Sequence, residues 1–560
     1  MNILGISFLE DASACVLKDG TLVSAISEER INRVKLWRGI PTNAIEQALR
    51  LAGLTMKDID LIATHGHAPE GPNQTAFDEK RASIENSNLK SDVKKLQLES
   101  LETRLKHEQQ VLAVRTPEYL KQVKALGKKT LVYAHHESHA ASAFYGSGWE
   151  NCFVLTADGW GEDGSSTVWK GSNSKISLLH QSDTIDSLGF FYGSITKALG
   201  FIPHRHEGKV LGLAAYCKEP KSYDWVRQMI DYDSTRKKFT SRMDRGVYIP
   251  HFNNPHLSNL VKSYSREDVS AAAQRTLEEV VCAYVKDLAK TPIKVALAGG
   301  IFANVKLNQR LRELKNVEDV YVFPNMGDGG LSVGAAYLAY VETTGKKPQA
   351  LDTALLGTAD PNEAIESDIK KSGLKYQRLD EIESKVGELL AQKQVVAVCD
   401  GRMEYGPRAL GNRSILFHAA DHSVNQWLNQ KLKRSEFMPF APATLEEKAH
   451  EHYIDLKLAS QPARYMTMTY DCTDKMRKES PAAVHIDGTA RPQIVGKSTY
   501  PHFHAILSEY FKQTGFSTVV NTSFNMHEEP IVCSSHDAIR AAVAGELPYL
   551  ALGNFLVKIG

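Results

Sequence analysis

The feature that most constrains the fold is a strand–turn–strand unit that occurs twice. Near the start, Asn2–Ser7 is apolar and β-prone, 12–17 follows, Asp19-Gly20 marks a hairpin turn, and Thr21–Ser27 returns. A matching unit fills 152–180: CFVLTADGWG, then SSTVWKG, then SKISLLH. Both place small Gly- or Asp-containing turns between a buried strand and its hairpin partner. Two such units predict an internally duplicated α/β fold.

The chain has 560 residues, room for about two to four domains. Lys+Arg is 67 and Asp+Glu 66, a formal charge of +1, which gives no general attraction to nucleic acid or anionic membranes. No run approaches the ~18–20 apolar residues that span a bilayer. The first residues lack a basic segment and meet Glu10 and Asp11 at once, unlike a secretory signal. Seven scattered cysteines, odd in number and without CxxC, fit reduced thiols rather than a disulfide framework or zinc knuckle. A cytoplasmic globular protein is expected.

Residues 69–130 are polar and helical in spacing, and read as a solvated helical insertion. A long helix is expected over 268–290, then strands at 294–300 and 320–324. The pattern breaks at 341–360, which places a domain boundary near 355. A new α/β segment follows, with a helix near 380–392 and a strand at 394–400.

In AHHESHAASAF, His135 and His139 stand four apart and share one helical face, while His136 points elsewhere. Asp158 ends the strand CFVLTA. Two imidazoles and a carboxylate suit iron, zinc or manganese, and Asp328 in NMGDGG is a candidate fourth ligand. Gly299-Gly300, after one strand and before a helix, would offer free amides to an anion or nucleotide, with Lys209 in HEGKVLGLAAY supplying charge. No P-loop or clean strand-to-helix GxGxxG occurs. The second half gathers Arg402, Arg408 and Arg413, then Lys431, Lys433 and Arg434, then Arg491, with the polar run NTSFN after an apolar strand. Arginines in turns this rich in Gly and Pro predict an anion pocket.

Ten segments in order resemble the NodU/CmcH family of O-carbamoyltransferases: ISEERINRVK (26–35), HHESHAAS (135–142), ADGWGEDG (157–164), HEGKVLGLAAY (206–216), GGIFANVKLN (299–308), GDGGLSVGAA (327–336), GRMEYGPRALGNRS (401–414), FMPFAP (437–442), HIDGTARPQ (485–493) and NTSFNMHEEPIV (521–532). The resemblance implies an N-terminal actin/sugar-kinase/Hsp70-like (ASKHA) duplicated domain over 1–355. It also implies a C-terminal YrdC-like α/β domain over 356–560. The C-terminal domain would make carbamoyl-adenylate from carbamoyl phosphate and ATP with Mg2+, and the N-terminal site would pass the carbamoyl group to a hydroxyl of a small-molecule natural product, such as an antibiotic. The implied metal ligands are His135, His139, Asp158 and Asp328, holding a divalent transition metal, with Fe2+ ahead of Mn2+ or Zn2+. Nucleotide contacts would fall on Lys209, Gly299, Gly300 and Asn304. Carbamoyl-phosphate and adenylate contacts would fall on Arg408, Lys433, Arg434, Arg491, Asn521 and Ser523.

The chain departs from the family at Glu10-Asp11, where His-Asp is common, so Asp11 or Glu10 becomes the candidate base for the acceptor hydroxyl. KLKRSEF also differs from the commoner form with Arg-Glu before the PFAP run. The acceptor is not named by the residues, and the chain would act as a monomer or homodimer without nucleic acid or membrane. Two other readings stay open: a tRNA carbamoyl or threonylcarbamoyl transferase, and a non-catalytic, nucleotide-switched binding protein.

Overall fold

The computed structural model describes residues 1–67, 71–162, 164–246, 255–421, 423–432, 438–456 and 461–559. It is a mixed α/β protein. The chain gathers into two compact units. One comprises Met1–Ser7, Asp19–Thr21 and Ile59–Ala350; the other comprises Phe8–Lys18, Leu22–Asp58 and Leu351–Gly560.

The strands of the N-terminal half are β1 (Asn2–Ser7), β2 (Ser13–Lys18), β3 (Thr21–Ser27), β4 (Leu61–His65), β5 (Thr130–Tyr133), β6 (Asn151–Ala157), β7 (Ser166–Ser172), β8 (Lys175–Ser182), the hairpin β9 (Ile230–Asp233) and β10 (Lys238–Ser241), then β11 (Ile293–Ala298) and β12 (Val317–Val322). One sheet runs β3-β2-β1-β4-β5 and the other, read from its hairpin, β8-β7-β6-β11-β12. The orders are the same, so the duplication expected from the repeated unit is present in the topology. In both sheets the first strand of the repeat pairs in parallel with a later strand: Ile3 aligns with Leu61 and Val295 with Phe153. Parallel central strands are covered on both faces, which explains why β4 is buried along its whole length and β11 at all but one position.

The helix Arg266–Leu288 lies two residues earlier at each end than expected, with Ser265 accepting a hydrogen bond from the Asp268 amide. The insertion is helical, through Gln74–Glu85, Ser91–Gln110 and Thr116–Lys124, but it is not simply a solvated arm. Gln97, Leu101, Arg104, Leu105 and Glu108 are buried along one face. Arg104 donates to Glu108 at 2.7 Å and stacks over the Phe190 ring at 4.2 Å. Pairing four residues apart lets these two charges leave water together.

The second unit is built on an eight-stranded sheet. Its strands are β13 (Lys375–Arg378), β14 (Val396–Cys399), β15 (Arg413–His418), β16 (Ala441–Leu445), β19 (Gln493–Val495), β20 (Thr518–Ser523), β21 (Tyr549–Leu552) and β22 (Phe555–Lys558), with β17 (Tyr470–Asp471) and β18 (Thr489–Ala490) forming a separate pair. The order is β13-β22-β21-β14-β15-β20-β16-β19. The helices Ile382–Ala391 and Pro501–Thr514 contribute Val386, Leu390, Phe503 and Leu507 to a core shared with Val396, Leu416 and Val519. Among the described residues no helix is long and apolar enough to cross a membrane.

Candidate metal centre and arginine-rich loop

Three elements of the first unit bring the candidate ligands together. The helix His135–Ser147 starts directly after β5 and carries His135 and His139 on one buried face. Asp158 follows β6, its amide donating to the Ser165 carbonyl and its own carbonyl accepting from the Gly189 amide and the Ser187 hydroxyl. Asp328 sits in the turn that opens the helix Leu331–Thr344. That helix lies close against the histidine helix because position 334 is glycine: a Cβ there would stand 1.8 Å from the Ser138 carbonyl oxygen.

His135 Nε2 lies 2.7 Å from Asp158 Oδ2 and 3.8 Å from Asp328 Oδ1, and His139 Nε2 lies 3.4 and 3.6 Å from the same two atoms. One donor atom from each of the four residues falls within 4.8 Å of all the others. Burial pushes the His135 imidazole down, but Asp158 beside it, helped by Asp328 and Glu162, more than reverses this and holds it well above its ordinary range. Burial likewise pushes Asp158 up, and the histidines His136 and His135 overcome it, so the carboxylate stays ionised. The donor set fits a first-row divalent ion: both ring nitrogens of His139 and Oδ1 of Asp158 are buried without a hydrogen bond, and two imidazoles with two carboxylates suit iron, manganese or zinc. His136, expected to point elsewhere, has Nδ1 2.8 Å from Thr156 Oγ1 but keeps Nε2 beside the site, 3.6 Å from Asp158 Oδ1.

Two further residues stand here that the sequence did not point out. His65, the last residue of β4, is fully buried, and Ser7 Oγ lies 3.3 Å from its Nε2. Burial, with His135 and His139 nearby, pushes its imidazole well below the ordinary range. Glu162 Oε2 lies 3.8 Å from His135 Nδ1. The clue available in the letters was positional: His65 ends an apolar strand just as Asp158 nearly does.

The proposed nucleotide contacts differ in what their side chains already do. A Cβ at Gly299 would meet the Ala157 carbonyl oxygen at 2.2 Å and its φ is +100°, so this glycine is required by strand packing; Gly300 faces open space. Asn304 caps the helix Val305–Arg312 through the Leu307 amide at 3.0 Å and donates to Gln274 at 2.8 Å. Lys209 is buried in the helix Glu207–Ala214.

In the second unit, the run of arginines around 401–414 divides. Arg413 is buried and gives its guanidinium to five carbonyls, those of Cys533, Asp400, Gly401, Asn412 and Thr358. Arg402 donates to the carbonyls of Gly357, Val23 and Leu356. These two are braces for the loop rather than ligands for an anion, a correction to the reading of the whole cluster as a pocket. Glu404 completes the brace, one oxygen accepting from the amides of Leu410, Asn412 and Arg413. Arg408 and Arg491 are half-buried, as is Ser523. Asn521 donates to the Ala409 carbonyl and to Gln493, leaving its Oδ1 buried without a hydrogen bond. Lys431 pairs with Glu546. Lys433 and Arg434 lie outside the described residues. Glu10 is ion-paired with Arg38 at 2.8 Å, and Asp11 adopts a left-handed backbone, φ +59°.

Comparison with known proteins adds the family. Residues 2–337 match the model for the carbamoyltransferase N-terminus and residues 387–558 that for the carbamoyltransferase C-terminus. The nodulation protein NolNO of Sinorhizobium fredii is 30% identical, over 99% of this chain and 79% of that protein. An uncharacterized protein of Methanocaldococcus jannaschii is 31% identical over 99% of each chain. Among solved structures, component A of (R)-2-hydroxyglutaryl-CoA dehydratase from Acidaminococcus fermentans is 14% identical, covering 62% of this chain and 100% of that one, with a TM-score of 0.35. With its two halves matched in order along nearly its whole length, the chain belongs to the carbamoyltransferase family and is a carbamoyl-transferring enzyme.

Proposed function

We propose that the enzyme is an ATP-dependent O-carbamoyltransferase of the cytoplasm. It takes carbamoyl phosphate, water and ATP with Mg2+: hydrolysis releases phosphate and leaves carbamate, whose oxygen attacks the α-phosphate of ATP to form carbamoyl-adenylate with release of pyrophosphate, and the carbamoyl group then passes to a hydroxyl of a small natural-product molecule with release of AMP. The observation that carries this reading is the match of N- and C-terminal carbamoyltransferase halves within one chain. Among the described residues none of the seven cysteines forms a disulfide, which suits a reducing compartment.

The roles follow from chemistry. Carbamoyl phosphate is a poor direct donor to an alcohol, and adenylation provides a better leaving group. In 356–560, Arg408 and Arg491 neutralise charge that grows on phosphate oxygens, with Lys433, Arg434 and Ser523 as further contacts. Asn521 has both amide hydrogens engaged, so it contributes its oxygen as an acceptor. In 1–355, His135, His139, Asp158 and Asp328 would hold a divalent ion, which when bound supplies a Lewis-acidic charge. Lys209 and the open backbone at Gly300 serve the nucleotide. Asp11 accepts the hydroxyl proton; Glu10 is the weaker choice because Arg38 already engages it.

The test is pyrophosphate release from ATP and carbamoyl phosphate without an acceptor. Release that requires carbamoyl phosphate and disappears in Arg491→Ala supports the adenylate route. No release from folded wild-type protein refutes it.

A further inference from the structure

The four ligands named above leave one edge of the His135 ring unused. Nε2 faces Asp158, Asp328 and His139. Nδ1, on the other side, is fully buried and has no hydrogen-bond partner. Glu162 Oε2 lies 3.8 Å from it, and the Glu162 side chain has no exposed surface. The His65 ring stands edge-on to His135, centroids 6.0 Å apart. One donor atom from each of His65, His135 and Glu162 lies within 4.8 Å of the other two.

A small divalent ion sits about 2.0–2.2 Å from nitrogen and oxygen ligands, so donors on its opposite sides stand roughly 4.2 Å apart. The Glu162–His135 separation of 3.8 Å falls inside that span, and since no spacing in the trio exceeds 4.8 Å, at most about 0.6 Å of closure brings each pair within it. The geometry points to a second divalent-cation site, formed by His65, Glu162 and the Nδ1 edge of His135, so that the His135 ring stands between two ion positions.

Two nitrogens and one carboxylate oxygen again suit manganese, iron or zinc rather than calcium or magnesium. The inference rests on the reading of His135, His139, Asp158 and Asp328 as a metal centre, and the test separates the two.

The full chain is stripped of metal, loaded with Mn2+ and desalted, and retained manganese is counted by mass spectrometry while its paramagnetic resonance is recorded. Wild type is expected to retain two ions per chain with a spin-coupled spectrum. Glu162→Gln, which keeps shape, and His65→Ala are each expected to retain one ion with an uncoupled spectrum. His139→Ala, which damages only the first set, is also expected to retain one, and the double variant His139→Ala/Glu162→Gln none. One ion in wild type, unchanged in number by Glu162→Gln, overturns the second site and leaves Glu162 as a residue that orients His135. No retained ion in folded wild type overturns both readings. Circular dichroism of each variant excludes loss of fold as the cause.

Discussion

His139 and Arg413 are both ionisable, both buried, and both lie in runs that stand out in the sequence, yet the fold uses them in opposite ways. His139 keeps both ring nitrogens without a hydrogen bond, facing two carboxylates. Arg413 has donors committed to five backbone carbonyls. The difference separates buried ring nitrogens that no group of the chain hydrogen-bonds from a guanidinium whose partners the chain supplies in full. A cluster of charged letters is therefore no guide to a binding site until the backbone partners are known.

The largest expected effect on stability is at the brace. Arg413→Met orphans several buried carbonyls and is expected to cost about 3–5 kcal/mol in urea unfolding. His139→Ala is expected to leave the unfolding midpoint within about 1 kcal/mol of wild type while carbamoyl transfer falls by ~100-fold or more. Equal destabilisation by the two variants would erase the contrast.

A smaller effect tests how the metal centre is held. Gly334→Ala places a methyl against the Ser138 carbonyl and should destabilise by about 1–3 kcal/mol, with weaker metal retention, because it pushes apart the two elements that carry the histidines and follow Asp328. Gly300→Ala meets open space, and its melting temperature should stay near wild type.

The smallest effects are in pH dependence, and they have opposite signs. His452, buried and 2.7 Å from Ser517 Oγ, is pushed down by burial and by Lys475 to about 4. Its stabilisation is complete above the unfolded value of about 6.5 and is lost as pH falls through 4. His135 is raised in the metal-free chain, so its share is complete below about 6.5 and is lost as pH rises through the raised value. Metal-free His452→Gln should thus lose acid sensitivity, whereas His135→Gln should lose alkaline sensitivity, both read from urea midpoints against pH.

Much of the candidate centre's clustering was legible because it follows local rules. The spacing of His135 and His139 is a helical period, and Asp158 directly follows an apolar strand. The repeated hairpin likewise gave the duplicated sheet order. His65 and Glu162 were not legible, since their approach to His135 depends on which strands become neighbours, a tertiary matter. The roles of Arg402 and Arg413 were hidden for a related reason: their partners are carbonyls, which every residue carries and no letter marks. The buried face of Ser91–Gln110 was masked by its own composition, because Arg104 and Glu108 satisfy each other inside it.

The central claim is a division of labour, with adenylate formation in the C-terminal half and transfer at the histidine centre. Pyrophosphate release in His139→Ala, assayed with ATP, Mg2+ and carbamoyl phosphate, tests it most directly. The account predicts release at a rate close to wild type with no carbamoylated product. Loss of release in folded His139→Ala, to the extent seen in Arg491→Ala, would contradict it.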